Sequence, residues 1–558
     1  MKAAGLFAFA AVLAASAVRA ACPGDADFPP FYPEAGIFED ALVATASVAP
    51  SQTPLTGLVV PHHLVAPGLI AGGLRLASGG SYRRIVLLHP DHFDRAPAPF
   101  ATTRRGFSTV LGPVPGDPAG ATALLNSGAP VDDACLFGED HGIRASLPFV
   151  AATFPGVPVL PVAVAIDSGR GDWDTLAGAL EPLAGPETLI LQSTDFSHYL
   201  PLHEARRRDQ QTLNVLASGD IEALVRLRQP DHLDSPGAMY VQALLQQRRG
   251  ATPIVVQNRN GAEIGLVDPQ GTTSYMVIAY AGFADGAQDI ALPGVETWLF
   301  AGDMFLGRDF ATILPDELAE RRVAEALSRL TAGLPLVVNL EGVLLPELPG
   351  TLEHMVLAMP AGLAAHWFER AGIRAVSLAN NHAMDIGPSG HAETRRVLSA
   401  AGVDAAGQGE GIALGRMDVV ALTDLAGNRT GARNLLDAAL LDRLTVPDPA
   451  RPVVAFIHWG REYENEPRRR ERALAERISA RGVAVILGAH SHRASEGVGL
   501  AGGSDTAVVH SLGNFMFDQS ADVATGSIAE LRVFPQGTVF VRTFRIPNLY
   551  DIAAGRGG

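Results

Sequence analysis

In the C-terminal half of this chain, apolar runs end again and again in residues that bind metals or move protons. WLFAGDM ends at Asp303, PLVVNLEG at Glu341, and SLANNHAMD carries Asn380, Asn381, His382 and Asp385. VVAFIHWGREY carries His458 with Glu462 behind it, VAVILGAHSH carries His490 and His492, and AVVHSLGNFMFD carries Asn514 and Asp518. Carboxylate and amide oxygens with imidazole nitrogens are donors suited to manganese, iron or zinc. Recurring at strand ends far apart in sequence, they can converge on a pair of ions that clamp a phosphate and activate a water. A lone Gly-Asp after a strand is an ordinary turn, and His-Trp-Gly alone can be a packed pair of rings. The whole series is read as a site.

Such donors need a scaffold that brings strand ends together. A buried parallel strand ending in a polar loop is where open α/β sheets place their ligands. One strand end presents only one or two side chains, so several strands must contribute. The N-terminal half shows the same pattern. TGLVVPHH ends in His62 and His63, RRIVLLHPDH in His89, Asp91 and His92, and ETLILQSTDFSH in Asp195 and His198. GEDHGIRASLPFV sets His141 ahead of a helix, and VPVLPVAVA and TSYMVIAYAG read as further strands. Pro67 to Ala77 fits a helix entered through proline in its first turn. Strands alternating with helical stretches predict α/β architecture. The histidines at these ends predict a metal or ligand pocket, against the alternative of a hydrogen-bonded structural cluster. The stretch Glu462 to Arg481, with its RRRER run, reads as a solvated helix face. Trp298, Trp367 and Trp459 read as core or rim.

At 558 residues the chain exceeds one compact domain and predicts two large ones. The expected division is a leader over 21–55, an α/β domain over 56–282, a linker rich in Ala, Gly and Asp over 283–296, and a second domain over 297–550. A formal net charge of −16 argues against nucleic acid as partner. Residues 1–20 read as a secretory signal, with Lys2, an apolar core from Ala3 to Ala17, and the small residues Val18 and Ala20 before the cleavage point. The mature chain is then expected in the periplasm or outside the cell. Lipidation of Cys22 is the lesser option, because Arg19 stands where an apolar residue is wanted. No later run approaches the ~20 apolar residues of a membrane helix. Cys22 and Cys135 are the two cysteines; they could pair, but they exclude a CxxC zinc site.

The motifs GDMFLGR, NLEG, SLANNHAMD, HWGREY, GAHSH and HSLGNFMFD stand in the order of the CapA family, which this half resembles from about Thr297 to Tyr550. That family serves poly-gamma-glutamate capsule biosynthesis and belongs to the calcineurin-like metallophosphoesterases. The resemblance implies an α/β/β/α sandwich holding two divalent ions of the manganese, iron or zinc type. It implies Asp303, Glu341, Asn381, His458, His490 and His492 as ligands, with His382 as general acid and Asp385, Asn380 and Glu462 orienting the site. Arg308 is a candidate for a substrate anion. Asp303 is followed by Met304 and Phe305, without the Asp-x-His of ordinary metallophosphoesterases, and Glu341 stands where aspartate is usual.

From about Gly57 to Gly282 the chain resembles the Memo family, also called AmmeMemoRadiSam system protein B, through PHH, HPDH, EDH and STDFSH. That family is related in fold to extradiol-type dioxygenases using non-haem iron. The resemblance implies His62 and His92 as ligands of one iron, with His141, Asp195 and His198 around them. The family's cysteine ligand is replaced within LDSPGAMY, where Ser235 or Asp234 is nearest. Asp234 would restore a two-histidine, one-carboxylate set.

The expected function is metal-dependent hydrolysis of a phosphoester, or of a related bond in an anionic envelope polymer. The alternatives are a non-hydrolytic accessory protein of capsule synthesis or export, and an iron oxidoreductase seated in the N-terminal half.

Overall fold

The computed structural model describes residues 24–265, 268–353, 355–427, 436, 438–443 and 450–556. The expected signal sequence and Cys22 lie outside them. Both halves are α/β. In the first, the strands are β1 (Gly57–Val60), β2 (Arg84–Pro90), β3 (Phe100–Thr102), β4 (Phe107–Thr109), β5 (Gly112–Val114), β6 (Val131–Asp133), β7 (Val159–Val164), β8 (Thr188–Ser193), β9 (Thr252–Asn260) and β10 (Ser274–Ala281). β4 and β5 pair with each other, and the rest form an eight-stranded sheet ordered β6-β3-β7-β2-β8-β1-β10-β9. Its centre, β7-β2-β8-β1, is parallel. Successive side chains of a strand face opposite ways, and both sides are buried. Ile85 and Leu87 pack with Ile70, Leu74 and Phe149 on one face. Val86 and Leu88 pack with Trp173, Leu176 and Tyr240 on the other. A central parallel sheet must be covered in this way, and continuous apolar runs are the result.

The segment before β1 is more than a leader. Helix Gly36–Ala44 buries Phe38 against the Phe149 ring at 5.1 Å, and the Ser51 amide donates to the Leu76 carbonyl at 2.9 Å.

The second half contains β11 (Glu296–Met304), β12 (Leu336–Leu340), β13 (Val343–Leu345), β14 (Ala358–Pro360), β15 (Ile373–Ser377), β16 (Asp404–Ala406), β17 (Gly411–Leu414) and β18 (Met417–Thr423). It continues with β19 (Val453–His458), β20 (Val485–Ala489), β21 (Gly499–Ala501), β22 (Thr506–Val509), β23 (Gly526–Val533) and β24 (Val539–Ile546). There are two six-stranded sheets, β16-β15-β12-β11-β23-β24 and β17-β18-β19-β20-β22-β21, and the pair β13-β14. Phe300, Val337 and Ala375 of the first sheet meet Val454, Phe456 and Leu487 of the second between the layers. Their neighbours turn outward: Leu299, Val338 and Val376 pack under Val323, Trp367 and Phe368, and Ala455 and Ile457 under Leu474 and Ile478. This is the expected α/β/β/α sandwich. The helix anticipated over Glu462 to Arg481 is confined to Arg469–Ser479, since Pro467 and the left-handed Tyr463 (φ 65°) bar an earlier start.

The halves are joined through side chains as well as through the chain. Helix Leu202–Ser218 lies against the second half, with Gln210 exchanging hydrogen bonds with the Val539 backbone at 2.7 and 2.9 Å. Asn214 donates to the Ser504 carbonyl at 2.9 Å, and Gln536 to the buried Asp209 carboxylate at 2.8 Å. Phe534 and Phe540 are buried in one cluster with Leu213, Leu216 and Met276. The expected linker is held as well: the Arg532 guanidinium donates to the carbonyls of Gln288 and Ile290, and Leu292 is buried in the first core.

Candidate metal centres

The C-terminal donors gather where the parallel strands of both sheets end. Asp303 is the penultimate residue of β11, Glu341 follows β12, and Asn381 and His382 follow β15. From the second sheet, His458 closes β19 and His490 and His492 follow β20. Ligand atoms of Glu341, His458 and His490 lie within 4.8 Å of one another, and so do those of Asp303, Glu341 and His492. Glu341 is common to both groups. Asn381 Oδ1 stands 2.8 Å from His458 Nε2, which brings the amide oxygen into the same cluster.

The backbone is shaped to hold this arrangement. The Asp303 amide donates to the Gly513 carbonyl at 2.9 Å, and a Cβ on Gly302 would lie 1.8 Å from that same oxygen. Only glycine lets the strands approach so closely. His490 (φ 96°) and His492 (φ 56°) are in the left-handed region, where a residue with a side chain costs about 1–3 kcal/mol. Strain of this kind persists where the surroundings over-determine it.

The electrostatics follow from burial. Burial, with the charges of Asp303, Glu462 and Asp385 added, drives the Glu341 carboxyl well above its usual range. Burial opposes ionisation of Asp303 too, but the His458 and His492 imidazoles and the Asn339 amide hold its carboxyl below the usual range. Burial keeps His458 and His490 neutral, the form that ligates. Glu341 Oε2 and His490 Nδ1 are buried with no hydrogen-bond partner. Orphaned donors of this type, at these spacings, fit divalent ions of the manganese, iron or zinc class.

Next to these donors His382 is held differently. Its Nδ1 is 2.7 Å from Asp385 Oδ2, its amide donates to Asn380 Oδ1 at 3.1 Å, and its Nε2 is 3.8 Å from Glu341 Oε1. Asp385 is fixed in turn by the Leu357 amide at 2.8 Å. Asn380 ties this loop to β12 by donating to the Leu340 carbonyl at 2.9 Å. Glu462, partly buried, acts on Glu341 through its charge. Arg308 is engaged through one nitrogen: its Nη2 donates to Asp518 Oδ1 at 2.6 Å, and the guanidinium lies over the rings of Phe305 and Phe517. Its side chain is 48% exposed.

Sequence reasoning passed over Asn339 and gave Asn514 no role. The Asn339 amide donates to Asp303 Oδ1 at 2.7 Å and lies 3.1 Å from His458 Nδ1, and Asn514 Oδ1 is 2.7 Å from His492 Nδ1. Both fix ligands rather than add one. The signal for Asn339 was its place two residues before Glu341, inside an otherwise apolar strand.

In the N-terminal half His62, His92 and His141 come together, their ligand atoms within 4.8 Å of one another. Asp234 Oδ2 lies 3.1 Å from His62 Nε2 and 3.8 Å from His92 Nε2. Ser235, the other sequence candidate, caps helix Pro236–Arg248 by accepting from the Ala238 amide at 3.3 Å. Asp195 accepts from the His62 amide at 3.0 Å, and Asp140 holds His92 Nδ1 at 2.8 Å. His198 acts on Asp234 through its charge, and its Nδ1 is buried without a partner. Burial opposes protonation of His92, but Asp140 and Asp234 push it up to about 10, whereas burial and the neighbouring imidazoles bring His141 down to about 4. Asp234 Oδ1 and His62 Nδ1 are buried and unpartnered. Two imidazoles and a carboxylate in reach of one point fit a single hard-to-borderline cation.

A family model described as Memo-like protein matches residues 40–256, and one described as bacterial capsule synthesis protein PGA_cap matches 297–431 and 428–519. The first half is similar to a MEMO1 family protein of Methanopyrus kandleri, 28% identical over 181 residues, covering 31% of this chain and 64% of that one. The second half is similar to PGA biosynthesis protein CapA of Bacillus subtilis, 31% identical over 161 residues, covering 25% of this chain and 42% of that one. It is likewise similar to capsule biosynthesis protein CapA of Bacillus anthracis, 30% identical over 180 residues, covering 27% and 42%. The chain thus spans less than two thirds of the length of these relatives.

Proposed function

We propose, from a chain that joins a Memo-like region to one like capsule synthesis protein PGA_cap, that the second half is a hydrolase of the cell envelope. It would cut a phosphoester, or a related bond in an anionic polymer, outside the cytoplasm. The observation that carries this reading is the position of Glu341, buried and shared by the two donor groups. A bridging carboxylate between two such groups is what a paired-ion clamp requires. When bound, the ions neutralise phosphoryl oxygens and lower the pKa of a coordinated water. The chain's own part is to orient and to move a proton. Asn339 and Asn514 fix His458 and His492, and the Asp385 bond fixes His382 Nδ1, setting Nε2 on the side of Glu341, where it would serve a leaving oxygen. Water oxygen would then bond to phosphorus as its proton passes to solvent, the bond to the leaving oxygen would break, and His382 would give that oxygen the proton it regains from solvent afterwards.

Turnover of an aryl phosphate and an alkyl phosphate by the full chain, loaded in turn with manganese, iron and zinc, tests this. The expected result is metal-dependent release of phosphate that a chelator abolishes. No turnover with any metal would move an accessory, polymer-holding role ahead.

A second reading concerns the first half and rests on Asp234. Its carboxylate, beside His62 and His92, supports a single iron-type centre without sulfur ligation. Asp234→Ala is expected to lose the metal of this half, while the metal of the second half stays. Anomalous scattering at each site in crystals of the variant checks it; equal occupancy with and without Asp234 would exclude the carboxylate as ligand.

A further inference from the structure

Among the described residues two arginines are almost wholly buried, and their charges are met differently. Arg532, 1% exposed, has its Nε 2.7 Å from the Glu530 carboxylate. Arg144, 2% exposed, pairs with no carboxylate among the described residues. On the surface an unpaired arginine is solvated by water, and the lack of an acid there says nothing. Inside the protein it leaves a bare charge. The Arg144 Nη2 donates to the Pro29 carbonyl, but Nη1 is buried with no hydrogen-bond partner. The Phe107 and Phe31 rings lie 5.4 and 5.8 Å from its Cζ. Such rings recover less than a lone buried charge costs. Burial pulls the guanidinium down to about 10, with the Tyr32 hydroxyl acting the other way.

Arg144 lines a cavity of about 10 Å³ together with Phe31, Tyr32, Ser108, Val110 and Pro148 among others, and no lining residue is acidic. That is the room of about one water-sized sphere, enough for a halide and too little for phosphate. Tyr32 and Ser108 bring hydroxyls that make no hydrogen bond among the described residues. Phe31, 43% exposed, stands at the rim and leaves a way in.

We propose that this cavity binds one small monovalent anion of halide size on Arg144 Nη1, beside the hydroxyls of Tyr32 and Ser108. The inference depends on neither metal reading. Its consequence is structural, because the ion would fasten three segments. Phe31 and Tyr32 precede helix Gly36–Ala44, Ser108 lies in β4, and Arg144 ends helix His141–Arg144. That short helix starts from Asp140, which holds His92 Nδ1 at 2.8 Å, and it carries His141 of the first donor group. An ion at its far end would steady the turn behind that group without touching the metal.

Crystals of the full chain grown in bromide, with anomalous scattering recorded at the bromine edge, should show one ion within hydrogen-bond distance of Arg144 Nη1. In solution with chelator, Tm should rise with the logarithm of chloride concentration once the site fills, as binding to the folded state requires. The Kd from that curve should lie below about 0.15 M, the ionic strength of physiological fluid. Gluconate at equal concentration is too large to enter and should give no such rise. Arg144→Gln, which removes the charge, should weaken chloride on the order of tenfold or more. Ser108→Leu keeps the guanidinium and fills the cavity, so it should lose the rise even if Arg144→Gln fails to fold. Arg104→Gln, which breaks a pair with Asp133 elsewhere, should respond as the parent does. The site is overturned by an absent bromide peak, by a rise that gluconate matches, or by a Kd above that range, which would mean an adventitious ion only. An undiminished response in Ser108→Leu, or in folded Arg144→Gln, overturns it as well.

Discussion

A His382→Ala protein should retain its metal and yet hydrolyse an alkyl phosphate about 10²–10⁴-fold more slowly than the parent. The expectation follows from how the ring is held. Nδ1 is committed to Asp385 at 2.7 Å, and Nε2 looks across 3.8 Å to Glu341. His382 lies outside both donor groups, so its loss should leave the ions' ligands in place. An alkoxide leaves poorly without a proton, whereas an activated phenolate leaves without one. The loss should therefore be large for the alkyl ester and small for the aryl ester. Asn381→Ala is the contrast, because its amide oxygen reaches toward His458 Nε2 at 2.8 Å; it should lower metal content and slow both esters alike. Metal analysis with paired kinetics on the two variants decides. Metal loss in His382→Ala, or equal slowing of both esters, would remove the proton-donor role.

Asp303→Ala should cost activity with both esters without abolishing folding. Its carboxylate is a member of one donor group and anchors the His490 amide at 2.9 Å. Removing it should empty or weaken one ion position and cost several kcal/mol of charge stabilisation, on the order of 10³-fold in turnover. Without metal, the same carboxylate repels Glu341. The metal-free variant is relieved of that repulsion but leaves the buried Asn339 amide and His490 N–H without their acceptor, so it should melt somewhat lower than the metal-free parent, and the rise in Tm on adding metal should shrink. Calorimetry with and without metal, beside metal stoichiometry, reads both effects. Full occupancy and unchanged turnover would exclude Asp303 from the centre.

Much of this was legible because a buried strand and a ligand loop leave a sharp boundary in sequence. Val454 to Ile457 are apolar on both faces and His458 is not; Val485 to Ala489 are apolar or small, and His490 ends the run. The alternation that splits Ile85 and Leu87 from Val86 and Leu88 is invisible in such a run, since both faces are buried. Asn339 was missed for a related reason. One polar residue inside an apolar strand signals little until Asp303 and His458 are seen on either side of it. Helix Leu202–Ser218 was passed over because its sequence is polar, and the surface that uses its glutamines lies in the other half of the chain. Helix Gly36–Ala44 was taken for leader because its one deeply buried ring, Phe38, is a tertiary fact. The left-handed turns at His490 and His492 break the expectation for residues with side chains, and no local pattern announces them.

The seam between the halves has a thermodynamic consequence. Phe534 and Phe540 share a buried cluster with residues of the first half, and Gln536 serves Asp209 across the boundary. Opening one half would expose these groups in the other, so the two should melt as a single cooperative unit. A ligand that binds only the folded state stabilises it by RT ln(1 + [L]/Kd), about 2.7 kcal/mol at a hundred times Kd. In a chain fused in this way that free energy belongs to the whole. A metal ion taken up at His62, His92 and Asp234 would shield the second half from unfolding and proteolysis, although the two sites share no ligand. Supply of a metal to one half would then set how long the other half persists.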